Sequence, residues 1–123
     1  MERRQYPRVK TSNLISYVSQ APNGRIVEQN MAKALNISQS GIFLETTHRI
    51  LSDSISMMSV DDGNNLIELK GEVIYSSERS NGRFGAGVRF QGTHNQNIQF
   101  AMKLVKSFNA QKHNVARTYH TCS

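Results

Sequence analysis

Three dipeptides, Asn23-Gly24, Asp62-Gly63 and Asn81-Gly82, punctuate this chain between stretches in which apolar and polar residues alternate. Asx-Gly pairs accept the positive φ that both central residues of a tight hairpin turn demand, so each marks a reversal of an extended chain. Three hairpins are implied. Ile67, Leu69, Val73 and Tyr75 share one parity while Glu68, Lys70 and Glu72 hold the other, and Phe84, Ala86, Val88 and Phe90 repeat the pattern. A period of two belongs to strands with one buried face. Earlier candidates run from Val9 to Ser19, Arg25 to Ile37, Gly41 to Glu45 and Ser54 to Val60, which makes about six strands.

Six consecutive antiparallel strands in a short chain leave raw edges unless the sheet curls, so a six-stranded antiparallel β-barrel is expected. After Gly92 the period changes. Ile98, Ala101, Met102, Val105 and Phe108 recur at helical spacing, and Thr93 with Gln96 reads as a capping box. One amphipathic helix of about four turns should cover an opening or flank of the barrel. From Gln111 onward the periodic apolar residues stop, which predicts a flexible tail. The expected organisation is an arm over 1–8, a barrel with its C-terminal helix over 9–110, and a tail over 111–123.

A chain of 123 residues is expected to form one domain with a core that needs no staple, though a hydrophobic fraction of 37% without Trp keeps that core small. The single Cys122 can form no internal bridge, which points to a reducing, cytoplasmic setting. No run approaches the roughly 20 apolar residues of a membrane span, and the first residues lack the apolar stretch of a signal peptide. A net charge of +6 favours anionic partners, although a surplus of cations also simply keeps small domains soluble. Position sharpens the case. Arg3, Arg4, Arg8 and Lys10 all fall in the first ten residues.

Arg4-Gln5-Tyr6-Pro7-Arg8, with Arg3 before it, places several guanidinium forks beside a Pro-restrained segment. Such forks donate bidentate bonds to phosphate or to a purine edge. About thirty residues later, Asn36-Ile37-Ser38-Gln39-Ser40-Gly41 supplies complementary groups. Asn36 and Ser38 lie on one side of an extended segment and carry donors and acceptors, and Gly41 lets backbone approach a ligand closely. Each feature has a plainer reading: Arg3, Arg4 and Arg8 as solvated cations, Asn36 and Ser38 as shapers of a bend, Gly41 as a bulge residue.

An enzyme finds little support. Asp61-Asp62-Gly63-Asn64-Asn65 lacks the spacing of a calcium loop and sits where a turn is expected. His48, His94, His113 and His120 are scattered, and Cys122 has no base or orienting partner nearby in sequence, so neither a metal site nor a nucleophile is expected.

The order Arg4-x-x-x-Arg8, Asn36-x-Ser38-x-x-Gly41 and Gly85-Ala86-Gly87-Val88-Arg89-Phe90 before a C-terminal helix strongly resembles the PilZ domain, over nearly the whole chain up to the tail. The resemblance implies a bacterial six-stranded barrel that binds the second messenger cyclic di-GMP through the first two motifs. Asn36 stands where many members have Asp, which removes one negative charge and keeps an acceptor. Arg4 and Arg8 would then meet phosphate and guanine O6 and N7, the edge that Arg reads bidentately. Asn36 would face a guanine Watson–Crick edge or amine, Ser38 would add a hydroxyl contact, and Gly41 would give backbone access. Arg3 suits an intercalated dimer of the ligand, two stacked molecules per site.

No cofactor beyond that ligand is implied. Two other readings stay open: a PilZ-like protein-interaction module without ligand binding, and a basic small barrel that binds nucleic acid. The second expects aromatics interleaved with cations on an exposed face, and here the aromatics occupy expected core positions or stand alone, so nucleic acid is not favoured. A ligand-bound arm would signal by changing the protein's surface toward a downstream protein partner that the sequence does not identify. The oligomeric state, a homodimer included, stays open.

Overall fold

The structure, a computed structural model, describes residues 8–121, with side chains through residue 110. Six strands are present: β1 (Val9–Gln20), β2 (Ile26–Ile37), β3 (Gly41–Thr46), β4 (Ser54–Val60), β5 (Leu66–Glu78) and β6 (Phe84–Phe90). They close into a barrel in the order β1-β2-β3-β6-β5-β4, every pair antiparallel. The expected six-stranded barrel is therefore the observed architecture. Closure comes from β1 meeting β4 through only four residue pairs, Ser16 to Ser19 against Met58 to Ile55.

Alternation decides which side chains fill the interior. Ile15 and Tyr17 of β1, Ala32 and Ala34 of β2, Ile42 and Leu44 of β3, Ile55 and Met57 of β4, Ile67 and Leu69 of β5, and Ala86 and Val88 of β6 all point inward and are buried. Burial also raises the pKa of the Tyr17 phenol, with the Glu28 carboxylate adding to the effect.

The three turns lie where the Asx-Gly pairs place them, but their geometry is not the expected two-residue form. Ala21 N donates to Arg25 O and Gly24 N to Ala21 O, and the same two bonds recur at Arg79–Arg83 and Asp61–Asn65. Each is a three-residue loop, a turn followed by one residue in the left-handed region. That residue is Gly24, Gly82 and, in the middle hairpin, Asn64 at φ 65°, so only one position per turn carries positive φ. Asp61 shifts the frame there: its Oδ1 accepts from Asn65 N at 2.8 Å and from Gly63 N at 3.0 Å. These bonds, Asn65's first, hold the Asp61 carboxyl below the usual range.

Helix α1 spans His94–Thr121, well beyond four turns and past position 110, where the apolar pattern ends. Its capping box forms as expected: Gln96 Oε1 accepts from Thr93 N at 2.8 Å, and Thr93 Oγ1 accepts from Gln96 N at 3.2 Å. The buried stripe is displaced from the expected one. Phe100, Ala101 and Leu104 face the barrel, while Met102 is 49% exposed. Phe100 meets Phe90 edge-on with ring centres 5.6 Å apart, which explains why the stripe centres there. The buried Asn13 of β1 donates through Nδ2 to the Leu104 carbonyl at 3.0 Å and ties helix to barrel.

Four register shifts interrupt the ladders: in β1 between Lys10 and Asn13 and again between Ser19 and Gln20, in β2 between Ala34 and Asn36, and in β5 between Val73 and Tyr75. Thr11 fills the first, its hydroxyl donating to Ala34 O at 2.7 Å. Such bulges re-aim side chains.

Candidate ligand-binding site

Arg8 stands immediately before β1 and Asn36 next to the end of β2, brought side by side because Lys10 pairs with Asn36 in the ladder. Arg8 Nη1 donates to Asn36 Oδ1 at 3.1 Å, so the first motif touches the second. Arg3 and Arg4, with the rest of residues 1–7, lie outside the described residues.

Ser38 and Gly41 shape the β2–β3 turn. Ser38 N donates to Gly41 O at 2.9 Å, and Ser38 Oγ accepts from Gly41 N at 3.2 Å and Ser40 N at 3.3 Å. The hydroxyl is thus engaged in turn contacts rather than turned wholly outward from an extended strand. Gly41 answers a different close approach from the expected one. A methyl group there would lie 2.6 Å from the Val88 carbonyl oxygen of β6, so backbone meets backbone at this point. Ser40 O accepts from Phe90 N at 2.9 Å, which fixes the turn to the same strand.

Opposite the turn, β5 and β6 supply a wall that sequence reasoning missed. A cleft of about 240 Å³ is lined by Arg8, Ser38, Ser40 and Gly41 on one side, and by Tyr75, Gly87 and Arg89 among others across it. Tyr75 was expected to share the buried parity of Leu69 and Val73. The β5 bulge turns it outward instead, leaving it 51% exposed. Its ring lies against Gly87, where a side chain would collide with it, and its centre is 6.3 Å from that of Phe43. Arg79 covers Phe43 with its guanidinium 5.4 Å from the ring centre and pairs with Glu45 at 3.2 Å. Arg89 pairs with Glu72 across the β5–β6 ladder. A signal for this wall was available in Gly85-x-Gly87, a pair of strand glycines that leaves space for rings.

The arrangement brings guanidinium groups, a tight turn and a flat half-exposed ring to one cleft, groups that suit a ligand with an anionic part and a planar part. Among the described residues no group of His, Cys, Asp and Glu gathers as a metal site, and no helix is long and apolar enough to cross a membrane.

Residues 2–107 match the family model of the PilZ domain. The chain belongs to the PilZ family. Solved structures, a PilZ domain among them, share its fold at low sequence identity. The c-di-GMP-bound PilZ domain of YcgR from Escherichia coli is 13% identical with a TM-score of 0.62, over 94% of this chain and 98% of that one. The inhibitor of motility MotI/DgrA from Bacillus subtilis is 16% identical with a TM-score of 0.61, over 92% and 53%. The c-di-GMP complex of MrkH from K. pneumonia is 15% identical with a TM-score of 0.59, over 93% and 56%. This PilZ chain thus spans nearly all of the YcgR domain but about half of MotI and MrkH. No match is found among curated proteins.

Proposed function

We propose that this PilZ protein is a cyclic di-GMP receptor that takes its ligand between the N-terminal arginines and the β2–β3 turn and passes the signal to a protein partner. One observation carries the reading: Arg8 of the first motif is bonded to Asn36 of the second, at the rim of a cleft that also holds Ser38 and Gly41. The chemistry agrees with the ligand. Two phosphates call for guanidinium groups, guanine edges for Arg and Asn, and guanine faces for an aromatic surface such as Tyr75. The YcgR domain and MrkH, which share the fold, are themselves known with c-di-GMP.

In this reading Arg8 exchanges its bond to Asn36 for ligand, freeing Asn36 to face a guanine. Arg4 adds a second fork, and Arg3 stacks on a guanine of an intercalated pair, so two ligand molecules occupy each site. Ser38 acts chiefly by holding the turn. The arm, once neutralised by phosphate, folds over the ligand and builds the surface that a cytoplasmic partner reads.

Titration calorimetry with cyclic di-GMP, with cyclic di-AMP and GMP as controls, tests family ligand, specificity and stoichiometry together. Saturable binding of cyclic di-GMP alone at two molecules per chain is expected. One molecule per chain refutes the stacked pair, and no binding refutes the receptor reading. Arg8→Ala should weaken binding at least tenfold, the worth of a charge-assisted contact of about 1.5–3 kcal/mol, with the ligand-free melting point unchanged.

A further inference from the structure

We propose that Arg89 is an additional phosphate-binding residue of this cleft, and that Glu72 holds it in check so that their ion pair sets the affinity of the site. The inference rests on the receptor reading above. Arg89 and Arg8 are the two cations among the described residues that line the cleft. Register places Arg89 directly opposite Gly41 on one side and Glu72 on the other. A phosphate arriving over the β2–β3 turn therefore meets the Arg89 guanidinium from the side that Glu72 leaves open. The Arg89 side chain is 64% exposed and that of Glu72 38%, so the pair is in reach of solvent and of an incoming ligand.

Magnitudes favour exchange. An exposed ion pair of this kind contributes about 0–1 kcal/mol, whereas Arg on phosphate makes two charge-assisted bonds in a less hydrated cleft. Glu72 opposes the ligand twice, by occupying the guanidinium and by presenting a negative charge to a dianion. The plainer role is a cross-strand pair that only steadies β5 against β6. That role predicts a change in stability and none in affinity.

Calorimetry with cyclic di-GMP on the full chain separates the two, using Glu72→Gln, Arg89→Ala, Arg89→Lys and the double variant Glu72→Gln/Arg89→Ala, each checked for folding by its melting curve. Glu72→Gln should tighten binding by about threefold to fivefold, the release of an exposed pair. Arg89→Ala should weaken it by about tenfold and flatten its dependence on salt, Arg89→Lys should recover part of the loss, and the double variant should stay well below wild type, regaining only the share owed to the Glu72 charge itself. Unchanged or weaker binding by Glu72→Gln, or unchanged binding by Arg89→Ala, overturns the inference while leaving the receptor reading intact. Failure of the wild-type chain to bind removes both.

Discussion

On the outside of β3, β6 and β5 the barrel carries Phe43, Tyr75, Glu72 and Arg89 above two glycines. On the outside of β2, β1 and β4 it carries Leu14, Met31 and Val60, all at least 44% exposed. Both faces back onto the same inner wall of alternating aliphatics, so the fold does not distinguish them. The first face is built by subtraction: glycine at 85 and 87 leaves room for rings to lie down on the strand, and the charges nearby are paired. Its two rings are seated on backbone. On the second face Leu14 stands opposite Lys33, Met31 opposite Ser16 and Val60 opposite Leu66, and all three are exposed among the described residues. Rings laid against glycine leave little ordering to do when a planar ligand arrives.

The contrast breaks most visibly at Gly41. Gly41→Ala forces a methyl onto the Val88 carbonyl and should cost about 1–3 kcal/mol, lowering the melting temperature by roughly 4 °C for each kcal/mol. A wild-type melting curve would mean β3 and β6 are not pressed together as described. Tyr75→Ala tests the ring itself. Loss of one stacking surface should weaken cyclic di-GMP binding by about 1–3 kcal/mol, measured by titration, while Tyr75→Phe retains most of the affinity. Equal binding by Tyr75→Ala would strip the first face of its proposed role. The smallest effect is expected on the second face, where Leu14→Ser and Met31→Ser should shift stability by less than about 0.5 kcal/mol and leave affinity alone. A tenfold loss of binding in Met31→Ser would erase the distinction between the faces.

Much of this architecture was legible in the residues. Strand limits came within a few positions, since Asn23-Gly24, Asp61-Asp62-Gly63 and Asn81-Gly82 bracket clear alternation, and Thr93 with Gln96 marked the helix start. What escaped was the parity change at the bulges. Alternation predicts Tyr75 inside because nothing local announces an extra residue near Ile74; the shift is set by how β5 must meet β6. Turn geometry escaped for a related reason. An Asx-Gly pair fits a two-residue loop or the end of a three-residue one, and the strands choose between them. Phe100 and Leu104 were passed over in favour of Met102 because the stripe on α1 depends on where Phe90 and Asn13 wait for it. The site was half visible, as Arg8 and Asn36 do meet, while its β5–β6 wall depends on pairing between distant segments.

The four-pair contact between β1 and β4 also has a meaning in time. Ten aligned pairs join β1 to β2 across a local loop, so that hairpin can assemble early. The β1–β4 contact requires most of the chain between them to be placed first, and the Asn13–Leu104 bond spans 91 residues. Long-range closures of this kind form late in folding and open first in the native state. Amide exchange should accordingly be quicker along Ile55–Met58 than along the β1–β2 hairpin, so the strand that follows Arg8 stays anchored to β2 while the seam at its far end opens.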